Sequence, residues 1–210
     1  DVGNPATWAR AGIPVVYAVV QGASPERVVQ RADDALLAPF VQAARTLQAQ
    51  GATMITTSCG FLARHQAALA ASVTVPIISS SLLHCKRLGK PGVITIDASA
   101  LDASVLEAAE VPFGTPVQGI EVACEFYRRI MGNEPQLDAA QAELDVVAAA
   151  LALVALHPNV TDVVLECTNM APYRRAVVEA IGRPVHDLET ILISAWALRE
   201  TGAGSPHHSL

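Results

Sequence analysis

Thr53-Met54-Ile55-Thr56-Thr57-Ser58-Cys59-Gly60-Phe61 and Thr161-Asp162-Val163-Val164-Leu165-Glu166-Cys167-Thr168-Asn169 are two versions of one pattern. In each, a short apolar run leads into a cysteine and a helical stretch comes next. Pro76 lies 17 residues after Cys59, and Pro184 lies 17 residues after Cys167. Each proline opens a second apolar run. Thr53 matches Thr161, Ala63 matches Ala171, and Ala68 matches Ala176 without a gap. All βα units share a general likeness, but a cysteine at the same strand end in both halves is specific. It predicts a chain of two pseudo-equivalent units.

Outward from this repeat, short β-branched runs alternate with Ala/Leu-rich stretches, the signature of α/β folds with parallel strands. Strands are expected over 13–20, 53–57, 75–79, 93–96, 117–122, 162–166 and 184–186. Ser24 and Pro25 start a helix, and a second runs from a break at Asp33-Asp34 to Gln50, stopped by Gly51. Further helices are expected over 61–71, 103–109, 138–156, 171–181 and 188–199. A Lys/Gly/Pro-rich linker, 86–92, joins the halves, so residues 1–88 with 188–210 form one unit and 89–187 the other. The repeat leaves 93–96 without a counterpart in the first half. A strand before Asp1 is therefore expected.

Composition narrows the function classes. Net charge is −6 and aromatics are 4%. There is no basic stripe for nucleic acid or acidic lipid, and no stacking platform for bases. The longest apolar run, 146–156, reads as a buried helix rather than a membrane span. Four cysteines suit free thiols in a reducing, cytoplasmic setting. The only lysines, Lys86 and Lys90, sit in the linker, a poor place for a pyridoxal phosphate Schiff base. No zinc spacing and no glycine-rich phosphate loop is present, so neither metal nor cofactor is expected.

In parallel α/β sheets, ligands bind beyond the carboxyl ends of the strands. Cys59 and Cys167 sit there, each at a helix start whose free N–H groups favour a thiolate and an anionic ligand. Gly60 would let a ligand approach the backbone. Thr57, Ser58, Thr168 and Asn169 add polar groups. Cys85 and Cys124 are read as small buried hydrophobes. Ser80, within Ser79-Ser80-Ser81, could bind a carboxylate or cap the next helix. His186-Asp187, at the matching place, reads as a structural pair.

The stretches Thr56-Thr57-Ser58-Cys59-Gly60-Phe61 and Leu165-Glu166-Cys167-Thr168-Asn169 resemble the two cysteine motifs of the aspartate/glutamate racemase superfamily. The likeness extends over most of the chain, including the Ser79–Ser81 turn and 93–99. It implies two flavodoxin-like domains with the site in the cleft between them, and a C-terminal helix that returns to the first. It also implies proton transfer without a cofactor, with Cys59 and Cys167 as the acid–base pair. Asn4, Phe61 and Ser99 join the substrate-binding candidates on the same ground. The chain departs from the glutamate racemase pattern at Gly60-Phe61 and at Asn169.

The expected activity is racemisation or epimerisation of a small carboxylate, aspartate or glutamate by default. A cysteine-dependent isomerase of a diacid, a hydantoin racemase and a two-lobed binding protein are the rivals. The two sulfurs should face one cleft, about 6–9 Å apart so that a carbon fits between them. The partner expected is a small-molecule carboxylate, with a homodimer left open and no nucleic acid or membrane.

Overall fold

The computed structural model describes residues 2–200. Most of its elements arise from local signals. Asn4 accepts the Ala6 N–H, and Pro5 opens α1 (Pro5–Arg10), where a missing N–H costs nothing. Ser24 starts a single π-type turn (Glu26–Gln30) in place of the expected helix. Asp33 caps a short 3-10 turn that runs into α2 (Leu37–Ala49). Gly51, at φ +93°, takes the left-handed backbone just after the helix. β1 (Ile55–Thr56) leads through Cys59 and a 3-10 turn (Gly60–His65) into α3 (Gln66–Ser72) and the parallel strand β2 (Ile77–Ile78).

A 3-10 turn (Ser81–Arg87) then connects to β3 (Pro91–Thr95), α4 (Ala103–Ala108) and β4 (Val117–Gly119). Next comes α5 (Glu125–Met131), which the sequence reading did not anticipate. Its cap is the Cys124 thiol, which accepts the Tyr127 N–H at 3.5 Å. Ser, Thr, Asp and Asn are the usual start signals, and a cysteine gives none. Asp138 caps α6 (Ala139–Leu156) through the Ala140 and Gln141 N–H groups. β5 (Asp162–Leu165) leads through Cys167 and a 3-10 turn (Thr168–Tyr173) into α7 (Arg174–Ile181), β6 (Val185–His186) and α8 (Leu188–Glu200).

The second half builds a four-stranded parallel sheet in the order β4-β3-β5-β6. β3 is buried along its whole length and pairs on both sides, as a central parallel strand does when both faces are covered. α6 lies close enough to β3 that a Cβ on Gly92 would meet Leu153 at 3.0 Å. By length and composition α6 would suffice to cross a membrane. Its Ala142, Val146, Ala149, Ala150 and Leu153 face is committed to the core.

The first half is different. Among the described residues its sheet consists of β1 and β2. The strand expected over 13–20 does not form: the segment joins no ladder, and Val16 and Val19 are 57% and 79% exposed. A β-branched run becomes a strand only when another strand satisfies its backbone groups. Between this segment and β1 lies a cavity of about 730 Å³, lined by Val15, Val16, Phe40, Leu47, Ile55 and Trp196 among others. In the second half the corresponding position, between β4 and β5, is filled by β3. α8 packs Leu188 and Leu192 against Val2, Trp8, Ile13 and Ile78. Asp1 and residues 201–210, assigned to the first unit from the sequence, lie outside the described residues.

Candidate functional site

Both cysteines occupy the same place. Each lies within three residues of the end of a parallel strand, holds an extended backbone (φ −147°, ψ 121° at Cys59; φ −72°, ψ 124° at Cys167), and precedes a six-residue 3-10 turn that continues as an α-helix. The two turns meet. The Thr168 hydroxyl donates to the Ser58 carbonyl at 2.7 Å. The Ser81 hydroxyl, from the first half, donates to the Leu165 carbonyl at 2.7 Å. Cys59 is partly exposed and Cys167 is buried. The thiols are close enough for each to feel the same neighbouring carboxyl group.

That carboxyl belongs to Glu166, which the sequence reading quoted within a motif but did not single out. It is 1% exposed. Its Oε2 accepts the Thr95 hydroxyl at 2.8 Å, while Oε1 has no hydrogen-bond partner. A Cβ on Gly60 would fall 2.3 Å from Oε1 and 2.4 Å from the Glu166 carbonyl. The glycine after Cys59 therefore makes room for Glu166, a use of that position the sequence reading had not foreseen. The signal available in the sequence was an acid directly after the apolar run Val163-Val164-Leu165 and directly before Cys167.

The electrostatics reverse one expectation. Helix-start N–H groups were expected to bring the thiols towards neutral ionisation. The Phe61 and Leu62 N–H groups do favour a thiolate at Cys59, but burial, helped by the Glu166 charge, pushes it up to about 12. Burial and the same carboxyl also push Cys167 up, against the pull of Asn169, whose Nδ2 lies 3.9 Å from the sulfur. Burial raises Glu166 to about 7, with Thr95 and the Ile96 N–H holding it lower than burial alone would. Desolvation opposes every charge in this pocket.

The remaining candidates have other roles. Thr57 donates to the Ser79 carbonyl at 2.7 Å and to the Cys59 carbonyl at 3.1 Å, shaping the turn. Phe61 is in the core. Ser80 is buried and caps its 3-10 turn through the Leu82 N–H, so of its two readings the cap is the one seen. Ser99 donates to Asp97 at 2.6 Å on an exposed loop, and Asn4 serves α1. None of these contacts ties Asn4 or Ser99 to the cysteines. His186 pairs with Asp162 at 3.1 Å, and Asp187 binds Arg174 at 3.0 Å and caps α8. Cys85 is fully buried in the core and Cys124 caps α5.

Fold and site together define an α/β protein in which two similar βα units each bring a strand-end cysteine to a shared, largely dry centre. The fold is shared with solved structures of arylmalonate decarboxylase and of racemases. An arylmalonate decarboxylase variant in a liganded form superposes with a TM-score of 0.64 at 21% identity, covering 96% of this chain and 88% of that one. Allantoin racemase from Klebsiella pneumoniae gives 0.60 at 15% identity, over 92% and 74%. Glutamate racemase from Thermus thermophilus gives 0.51 at 17%, over 93% and 72%. No family model matches the chain. In sequence, the chain is 27% identical over 210 residues to a dimethylsulfoniopropionate lyase of Durusdinium sp. clade D, covering 89% of this chain. It is 28% identical over 159 residues to dimethylsulfoniopropionate lyase 5 of Emiliania huxleyi, covering 69%. The chain spans 65% and 31% of the lengths of these two relatives.

Proposed function

We propose that this protein is a carbon-acid enzyme, in which Cys59 and Cys167 exchange a proton at the carbon next to a substrate carboxylate. The observation that carries this is the pair itself: two cysteines at equivalent strand ends, on turns joined by the Thr168–Ser58 hydrogen bond. One thiolate takes the α-proton and becomes a thiol, leaving an enolate-like charge. Backbone N–H groups at the turn starts stabilise the carboxylate as that charge develops. Neither a metal ion nor pyridoxal phosphate is needed for this step.

The substrate decides the fate of that charge. With no leaving group on the β carbon, the second cysteine returns a proton to the opposite face and the outcome is racemisation. With a sulfonium on the β carbon, the α-carbon electron pair forms a C=C bond. The C–S bond breaks and the thioether leaves with its electron pair. The names of the two sequence relatives favour this β-elimination, because their likeness runs through residue identities over most of the chain. The likeness to the racemases is one of fold. We therefore place elimination from a β-sulfonio carboxylate first and amino-acid racemisation second.

One incubation in D₂O separates them. Dimethylsulfoniopropionate, aspartate, glutamate, allantoin and maleate are each monitored by proton NMR. Elimination releases dimethyl sulfide and acrylate. Racemisation puts deuterium at the α carbon and inverts it. Folded protein that does neither with any of them removes the carbon-acid reading.

A further inference from the structure

The cavity beside β1 has a counterpart in the second half, where the same place holds β3. The ladders β1–β2 and β5–β6 coincide residue for residue after a shift of 108. Ile55 pairs with Ile77 as Val163 does with Val185, and Thr56 with Ile78 as Val164 does with His186. The bond that enters each ladder is kept as well, from the Ile55 N–H to the Pro76 carbonyl and from the Val163 N–H to the Pro184 carbonyl, both at 2.9 Å. On its other edge β5 pairs with β3 from Asp162 to Leu165. The same shift gives 54–57 in the first half, and all four of those residues line the cavity. At the end of that ladder the Glu166 N–H donates to the Ile94 carbonyl at 2.8 Å, whereas the matching Ser58 N–H makes no hydrogen bond among the described residues. Chain order agrees. β3 leads into α4, a six-residue helix capped by Asp102, and then into β4. In the first half α1 is a six-residue helix capped by Asn4, and the segment 13–20 follows. Val2 and Gly3, just before that cap, also line the cavity.

We propose that this cavity seats one further parallel β-strand, supplied by the polypeptide that leads into Val2, and that its carboxyl end adds a wall beside Cys59. The first sheet then runs in the order 13–20, strand, β1, β2, as the second runs β4-β3-β5-β6. The strand is apolar and β-branched at its centre, like Val93-Ile94 of β3, because α2 offers it Phe40 and Leu47 and α8 offers it Leu192 and Trp196. Its third and fourth residues pair with Thr56 and Thr57, as Val93 and Ile94 pair with Val164 and Leu165. Its last residue reaches Ser58, next to Cys59, just as Thr95 at the end of β3 holds Glu166, next to Cys167. Pairing on this edge also gives the β-branched segment 13–20 the backbone partners that a strand needs. A second copy of the chain or an apolar small molecule would use the lining alone, and neither accounts for the matched register.

The test uses the protein's two tryptophans, Trp8 and Trp196, which both line the cavity. The probe is a synthetic peptide with the sequence of Lys90–Asp97, which carries β3. Titrated into the protein, it is expected to shift tryptophan emission saturably to shorter wavelength and to raise the thermal midpoint. The same peptide with Ile94→Pro, which cannot take a central place in a sheet, should do neither. Disulfide trapping reads the register. With Thr56→Cys, a peptide carrying Val93→Cys should form the mixed disulfide. A peptide carrying Ile94→Cys, whose side chain points to the other face, should form about ten-fold less. Iodoacetamide alkylation of Cys59, resolved by peptide mass spectrometry, should slow several-fold in the complex while that of Cys124 is unchanged. The natural polypeptide extended upstream of Val2 should refuse the peptide, because its own strand is in place. None of these readouts requires turnover. The absence of saturable binding overturns the proposal, and so does equal trapping of the two cysteine peptides. Should Thr56→Cys not fold, binding of the proline peptide as tight as the parent's overturns it equally. Binding by the extended polypeptide, or sedimentation of the protein as a dimer that excludes the peptide, overturns it as well.

Discussion

The two halves of this molecule share a sequence pattern and a local fold but not a sheet. Around Cys59 and Cys167 the strand, the 3-10 turn and the helix match element for element. Away from the cysteines the second half has four paired strands and the first has two, beside the cavity lined by 13–20. Local geometry at a strand end needs only the strand, its neighbour and the turn. A sheet needs every backbone group along it to find a partner. The half with β3 at its centre therefore has the larger paired sheet, while each half brings one cysteine to the candidate site.

That comparison is broken most severely if the cysteines are unequal. Cys59→Ala and Cys167→Ala should each lower racemisation by about 10²–10⁴-fold, the usual worth of one positioned acid or base. Under elimination, one of the two variants should be clearly the more damaging, since only one cysteine then acts as the base. Rates of α-deuteration and of dimethyl sulfide release decide between these patterns. Equal, small losses in both variants would remove the pair from the chemistry.

Stability should separate the sheets. Ile94→Ala, in the doubly paired β3, should cost near the upper end of the roughly 2–5 kcal/mol typical of such truncations, and Ile77→Ala, in β2, near the lower end. Urea midpoints at constant slope measure both. Equal costs would mean that the two sheets are equally well braced despite their different size.

The Glu166 carboxyl adds a pH dependence to the same experiment. The unfolded chain ionises it at the ordinary glutamate value, whereas the folded chain holds its proton up to about 7. The stability this confers is complete below the ordinary value and is lost as pH rises through 7. The loss is on the order of a few kcal/mol. Glu166→Gln should flatten that fall. A wild-type stability that rises between pH 5 and 7 by the same amount would contradict the burial that raises this group.

Smaller effects sharpen the repeat. Gly60→Ala must push a methyl group into Glu166 and should cost about 1–3 kcal/mol. Thr168→Ala, at the matching position, loses only its bond to Ser58 and should cost about 0.5–1.5 kcal/mol. Thermal unfolding of the two variants ranks them, and the reverse order would mean that the Glu166 side chain gives way freely.

Much of this architecture was legible in the sequence for a physical reason. A parallel α/β fold leaves its mark in periods of two and 3.6 residues, and Asp138 before α6 or Gly182 after α7 mark the ends of their elements. The repeat alone named Cys59 and Cys167. It did not reveal α5, whose cap is a thiol, and it made 13–20 a strand because strand propensity describes a side chain's fit to a sheet, not the sheet's presence. Which serines were spoken for was also hidden: Ser80 is held by Leu82, and Ser99 by Asp97.

The sequence by itself determined the α/β class, the two matched units and the two thiols, because each of these is set by residues near one another in the chain. Only the tertiary structure decided how those thiols ionise. It folds Gly60 against Glu166, across the boundary between the halves, and joins the two turns through the Thr168–Ser58 hydrogen bond. Burial there outweighs the helix-start N–H groups that the local sequence promised, since desolvation depends on everything packed around a sulfur and not on its neighbours in the chain.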